Sequence, residues 1–205
     1  MTPDDATHLG LRERKKRETR VALSQATIRL CVERGWENVA VEDIAAAANV
    51  SVRTFRNYFS GKAEAIAALH LERMLRVADE LRARPADESL WDSVAHAVQT
   101  RFAAGGQSAP DRRWADGLRL MLAEPALQGE VGKANAAAQD ELARAVAGRT
   151  GTDAAREVYP NLVAAVVAAG SAVAVEHCLR TDGQTSLGPV LAEVFAALAA
   201  GLPVP

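Results

Sequence analysis

Apolar residues recur at a helical period almost from end to end of this chain, and the strict alternation of a half-buried strand is nearly absent. Leu23, Ala26, Thr27 and Leu30 fall three and four residues apart, with Ile28 and Cys31 widening the stripe. That spacing turns one helical face toward a core. It predicts a first helix from about Leu11 to Arg34, with Gly35 just past its end and Trp36 folding back onto the core. Residues 1–10 read as a disordered lead-in. Two short helices follow, at about 41–48 and 52–59, then a longer one from just after Ser60 to Arg84, where Pro85 stops it. Further helices are predicted at about 88–104, 111–123, 126–148, 153–180 and 186–201. Gly105–Asp111 and Thr181–Thr185 read as turn-rich loops, and Pro160 either kinks its helix or moves its start. The expectation is an all-α fold of about nine helices, divided at 11–62 and 63–205.

Between Val41 and Phe59 the pattern carries more than packing. Val41, Ile44, Ala45 and Ala48 give the first short helix one apolar face. Its small residues let a second helix approach closely. Asn49 sits where the chain must turn sharply, and Asn tolerates the left-handed backbone better than other non-glycine residues. Ser51 suits the N-cap of the next helix. Val52, Phe55 and Phe59 then point inward, leaving Arg53, Thr54, Arg56, Asn57 and Tyr58 outside. Two helices joined by a tight turn, the second displaying basic and amide groups, are what reading a DNA major groove requires. Arg can bond guanine edges and Asn adenine, while Thr and Tyr more often reach phosphates. The bland alternative is a helical hairpin with a solvated polar face.

Charge adds to this picture by its placement. The net charge is only −2, but six basic residues and two acidic ones lie between Leu11 and Arg20. Arg17 and Arg20 in that run would lie beside a duplex and meet phosphates. Ser60 can cap the fourth helix, whose first turn holds Lys62, a natural phosphate clamp. The two cysteines, Cys31 and Cys178, fit neither a disulfide framework nor metal-ligand spacing, and a cytoplasmic location is the simplest. Cys178 weighs more heavily as an inert buried thiol than as a redox sensor. No cofactor or metal is expected. The most apolar stretch without a charge, Leu162–Val175, is 14 residues long, which is short for a membrane span and suits a buried core helix.

With these residues in view, positions 20–66 resemble the DNA-binding domain of the TetR family of repressors. The resemblance rests on Glu33-Arg34-Gly35-Trp36, on Val41-Glu-Asp-Ile-Ala, and on Ser51-Val-Arg-Thr-Phe-Arg-Asn-Tyr-Phe-Ser-Gly-Lys62. Asn49 stands where the family usually has Gly, and Arg56 where an aromatic is common. The resemblance implies a homodimer on a palindromic double-stranded operator, released when a small molecule binds the C-terminal domain.

The C-terminal residues agree on their own terms. From Ser186 to Pro205 the only charged residue is Glu193. Leu187, Leu191, Val194, Phe195 and Leu198 share one face, and small apolar residues fill much of the remainder. A helix apolar nearly all round needs covering on more than one side. With Val166 and Val173 in the preceding helix, these residues are the expected dimerisation surface, a four-helix bundle across a two-fold axis. Trp91, Phe102, Trp114 and Met121 are the candidate lining of a pocket for a largely apolar effector, weighed against an ordinary core role. There is no phosphate loop and no nucleophile elbow, so no enzyme activity is expected. The competing reading is an all-helical small-molecule binding protein or enzyme without DNA function.

Overall fold

The computed structural model describes residues 3–103, 116–117, 119–120, 123–181 and 185–203. Their regular structure is helical: α1 (Pro3–Arg34), α2 (Val41–Ala47), α3 (Val52–Tyr58), α4 (Lys62–Ala83), α5 (Leu90–Ala103), α6 (Pro125–Thr150), α7 (Val158–Arg180) and α8 (Leu187–Ala199), with a short 3-10 turn at Trp36–Asn38. The expected all-α class holds. The predicted helix at 111–123 lies mostly outside the described residues.

Two boundaries differ from the sequence expectation. The first helix starts at Pro3, so the segment read as a disordered lead-in is helical. Pro at the first helical position followed by Asp4 and Asp5 is a helix-start sequence, and the basic run had drawn attention away from it. The helix predicted from 153 begins at Val158. Asp153–Glu157 instead form a closed turn, with the Glu157 amide on the Asp153 carbonyl at 2.8 Å and the Asp153 amide on the Glu157 carboxylate at 2.8 Å. Pro160 therefore stands in the first turn of α7, where its missing N–H leaves no helical bond unmade.

The chain divides into two compact units: residues 1–70 with 116–131, and residues 71–115 with 132–205. In the first, Leu23, Ile44, Phe55 and Leu127 are fully buried, with Leu30, Phe59 and Ile66 close behind. Thr27 is buried among them, its hydroxyl satisfied by the Leu23 carbonyl at 2.8 Å. Gly35 ends α1 at φ 84°, a conformation that glycine adopts without the steric cost of a Cβ.

In the second unit α5 and α7 both pack on α8. Leu81, Val94, Val98, Val146, Leu191 and Phe195 make up the deepest layer. The end of α4 is held by Arg149 of α6, whose guanidinium donates to the carbonyls of Arg84 at 3.1 Å, Pro85 at 2.8 Å and Glu88 at 3.0 Å. Those carbonyls lie where the helix has run out of its own donors. Ser89 caps α5, accepting the Asp92 amide at 3.2 Å. By length and composition α7 could cross a membrane, with a mean hydropathy of 1.9 over its most apolar stretch. The helix is longer than the apolar stretch read from the sequence, and a buried core helix meets the same test of length and composition. One side of α7 is buried, by Val163, Val167, Ala174 and Cys178, while Leu162 and Val173 on the other are 55% and 56% exposed.

Candidate nucleic-acid interface

The two short helices are set by local bonds that the sequence dictates. The Asp43 carboxylate accepts the Ala40 amide at 2.9 Å, fixing the entry to α2, and lies 3.8 Å from the Arg34 guanidinium at the end of α1. At the exit the Val50 amide bonds the Ala45 carbonyl at 2.9 Å and the Asn49 amide the Ala46 carbonyl at 3.0 Å. Asn49 has φ 54°, the left-handed conformation expected at the turn. Ser51 caps α3 by accepting the Thr54 amide at 3.0 Å.

Inside the motif Phe55 and Phe59 stack at a tilt, with ring centroids 5.7 Å apart, and both are buried. They hold α3 in place. With those positions inward, the side chains of Arg53, Arg56 and Asn57 are exposed. Arg17 and Arg20 on α1 are exposed too, and the Arg20 guanidinium lies 5.4 Å from the centre of the Phe59 ring. That contact brings the basic part of α1 beside α3. Of the eight predicted DNA-contacting side chains, Arg53, Arg56 and Asn57 are thus exposed on α3, Arg20 is exposed beside its end, and Arg17 is exposed one turn earlier on α1.

The other three are placed differently. The Thr54 hydroxyl is 2.9 Å from that of Ser51, so it takes part in the cap. Tyr58 is half-buried, its ring centroid 6.4 Å from that of Phe59. The Lys62 ammonium donates to the carbonyls of Trp36 and Val39 and lies 4.3 Å from the centre of the Trp36 ring. Ser60 does not cap α4 as expected. Its amide and hydroxyl both donate to the Glu64 carboxylate at 2.7 Å. Sequence reasoning also passed over Gln25 and Arg29 of α1, which line an open cleft with Ala47, Ala48 and Asn49. Both are polar residues beside the apolar stripe, and no motif marks them.

These features are matched in known proteins. The model described as "Bacterial regulatory proteins, tetR family" matches residues 23–69, and that described as "MftR C-terminal domain" matches residues 88–203, more than half the chain. The chain is 33% identical over 184 residues to the HTH-type transcriptional regulator TcmR of Streptomyces glaucescens, covering 84% of this chain and 79% of that one. This chain belongs to the TetR family. It is a DNA-binding transcriptional regulator, and not an enzyme. The fold is also that of the fatty acid degradation regulator FadR from Bacillus halodurans, with TM-score 0.60 at 19% identity over 89% of this chain and 98% of that one. The triclosan complex of SmeT matches with TM-score 0.59 at 20% identity over 92% and 95%. SmeT is the repressor of a Stenotrophomonas maltophilia multidrug efflux pump.

The remaining predicted sites of this TetR-family regulator lie in the second unit. Leu191 and Phe195, expected to meet a second copy, are 0% and 1% exposed within a single chain. They are core residues, because α5 and α7 already cover that side of α8. Leu187, Val194, Leu198 and Val166 are half-buried, and Val173 is exposed. Trp91 is half-buried against the core formed by Val94, Ala97 and Val98. Trp114, Met121 and the side chain of Phe102 lie outside the described residues. Burial raises the thiol pKa of both Cys31 and Cys178, which favours the thiol over the thiolate.

Proposed function

We propose that this regulator is a cytoplasmic repressor that binds a palindromic operator as a homodimer and is released by a small, largely apolar effector. The observation that carries the reading is the division of α3 between anchors and outer side: Phe55 is buried while Arg53, Arg56 and Asn57 stand exposed next to Arg20. In this reading Arg53 and Asn57 meet base edges, and Arg17, Arg20 and Arg56 meet phosphates. Thr54, Tyr58 and Lys62 act mainly by fixing the motif. The DNA-reading module is 11–62, and effector binding and pairing belong to 63–205.

Pairing is supported by α7, where Val158, Leu162 and Val173 are 78%, 55% and 56% exposed at helical spacing, a face that a soluble chain rarely leaves to water. An apolar effector is supported by a second-unit core built on Trp91, Val94 and Val98, and by the likeness to SmeT, crystallised with triclosan, and to a regulator of fatty acid degradation.

The deciding experiment is selection of operator DNA from a random pool by the full chain at low salt. A palindromic site is expected, with affinity falling by about 1–3 kcal/mol for Arg53→Ala and for Asn57→Ala. Uniform binding to all sequences by both variants and the parent would falsify the reading.

A further inference from the structure

The chain passes between its two units within α4, between His70 and Leu71, and within α6, between Val131 and Gly132. A third passage, at 115–116, borders residues outside those described. The two helices differ in composition. α4 holds neither glycine nor proline from Lys62 to Ala83, so it runs as an unbroken rod. α6 holds Gly129 and Gly132, one on either side of its crossing. Both parts of α6 are anchored. Leu127 is fully buried in the core of the first unit, with Val131 packed against that core. Leu142 and Val146 belong to the core of the second.

Glycine inside a helix is disfavoured relative to alanine, because its backbone loses more freedom on folding. A left-handed backbone or a close neighbour would account for it, and neither holds here. The glycines with positive φ are Gly35, Gly151 and Gly201 among the described residues. A Cβ at 129 or 132 would meet no atom within 4 Å, whereas one at Gly170 would stand 3.1 Å from Leu198 and Val194. What the two glycines of α6 supply is ease of bending. A rod through both units leaves a swing of one unit about it as the soft motion. A second helix that joins them must bend to follow. We propose that Gly129 and Gly132 form a hinge in α6, through which the DNA-binding unit changes its set against the second unit while Leu127 stays in its core. The hinge goes beyond the repressor reading. Its test uses neither operator nor effector, so the two can fail separately.

The test is a distance measurement on the full chain by pulsed electron spin resonance. Spin labels go on Glu33→Cys of α1 and His96→Cys of α5, both exposed positions, while Cys31 and Cys178 are each 2% exposed and stay unlabelled. Labelled chains are diluted in unlabelled excess, so that distances within one chain are read. The parent should give a broad or two-component distribution. Gly129→Ala combined with Gly132→Ala should lose the broad or second component, since alanine stiffens the helix and meets no neighbour there. Gly148→Ala is the control. It stands in the same helix, away from the crossing and in equally open surroundings, and should keep the parent's distribution. Hydrogen exchange in the parent is a second readout that needs no variant: amides at 129–136 should exchange faster than those at 138–146. A single narrow distribution in the parent, an unchanged spread in the double variant, the same loss in Gly148→Ala, or equal protection along α6 overturns the hinge.

Discussion

The Lys62 ammonium donates to the Val39 carbonyl at 3.1 Å, across 23 residues of chain, while lying 4.3 Å from the centre of the Trp36 ring. This ties the first turn of α4 to the strap between α1 and α2, and so fixes where the helix-turn-helix begins. Lys62→Met keeps the aliphatic stem and removes the donors. It should lower stability by about 1–3 kcal/mol, because buried carbonyls lose a charged partner. The salt dependence of operator binding should be unchanged, read as the slope of log affinity against log salt. A slope smaller by about 0.9 with unchanged stability would make Lys62 a phosphate contact instead.

The turn between α2 and α3 depends on Asn49 at φ 54°. Glycine takes that conformation without strain, and other L-residues at a cost of about 1–2 kcal/mol. Asn49→Gly is therefore expected to leave the urea midpoint within a few tenths of a kcal/mol of the parent. Asn49→Val should lower stability by at least about 1 kcal/mol and weaken operator binding with it.

The motif was legible because each of its steps depends on neighbours in sequence. Asn49 at the turn, Ser51 as cap, and Phe55 and Phe59 one helical turn apart all act locally, and the structure places them as their chemistry requires. What sequence missed was long-range. Nothing local shows that Lys62 bonds a carbonyl 23 positions earlier, or that Leu127 of α6 enters the core of the first unit. The same holds for Leu191 and Phe195. Their apolar spacing announces a buried face, but only the packing of α5 and α7 on α8 tells that the cover comes from within the chain. A periodic stripe states that a face is covered and not by what.

Acid should loosen the joint between α4 and α5. Glu88 accepts from Arg84 at 2.7 Å and from the buried Ser93 hydroxyl at 2.6 Å, which lowers its pKa from 4.5 to about 2. A carboxylate whose folded pKa is depressed contributes stability above its unfolded value, and that contribution disappears as pH falls through the folded one. Glu88→Gln should thus melt at a lower temperature than the parent at pH 6. The gap should close between pH 4.5 and about 2, as followed by circular dichroism. A gap independent of pH would assign the loss to packing rather than ionisation.

Gly170 of α7 marks the close approach to α8, since a Cβ there would stand 3.1 Å from the ends of both Leu198 and Val194. Gly170→Ala sets a gain in helix propensity of about 1 kcal/mol against a shift of a few tenths of an ångström in those two side chains, and should be nearly neutral. Gly170→Val adds bulk that they cannot yield to, and should cost about 1–3 kcal/mol in denaturant. Equal effects of the two variants would mean that α7 and α8 are not in tight contact.

The exposed face of α7 leads to the sharpest separation of pairing from folding. Leu162 and Val173 are 55% and 56% exposed in a single chain, so a charge at either place meets water there and should leave the protomer folded. In a dimer that covers this face, the same charge would be buried without a partner, at a cost large enough to split it. Leu162→Arg and Val173→Arg should sediment as monomers with an unchanged helical spectrum. Operator affinity should fall by about 100-fold, because the two half-sites are no longer engaged together. Leu191→Ala is the contrast. Its side chain is fully buried within the protomer, so it should lose about 2–5 kcal/mol of stability whatever the oligomeric state. Dimers that persist in both arginine variants would move the interface off α7. The small exposed residues of α8, Ala192, Ala196 and Ala199, would then be the next face to test.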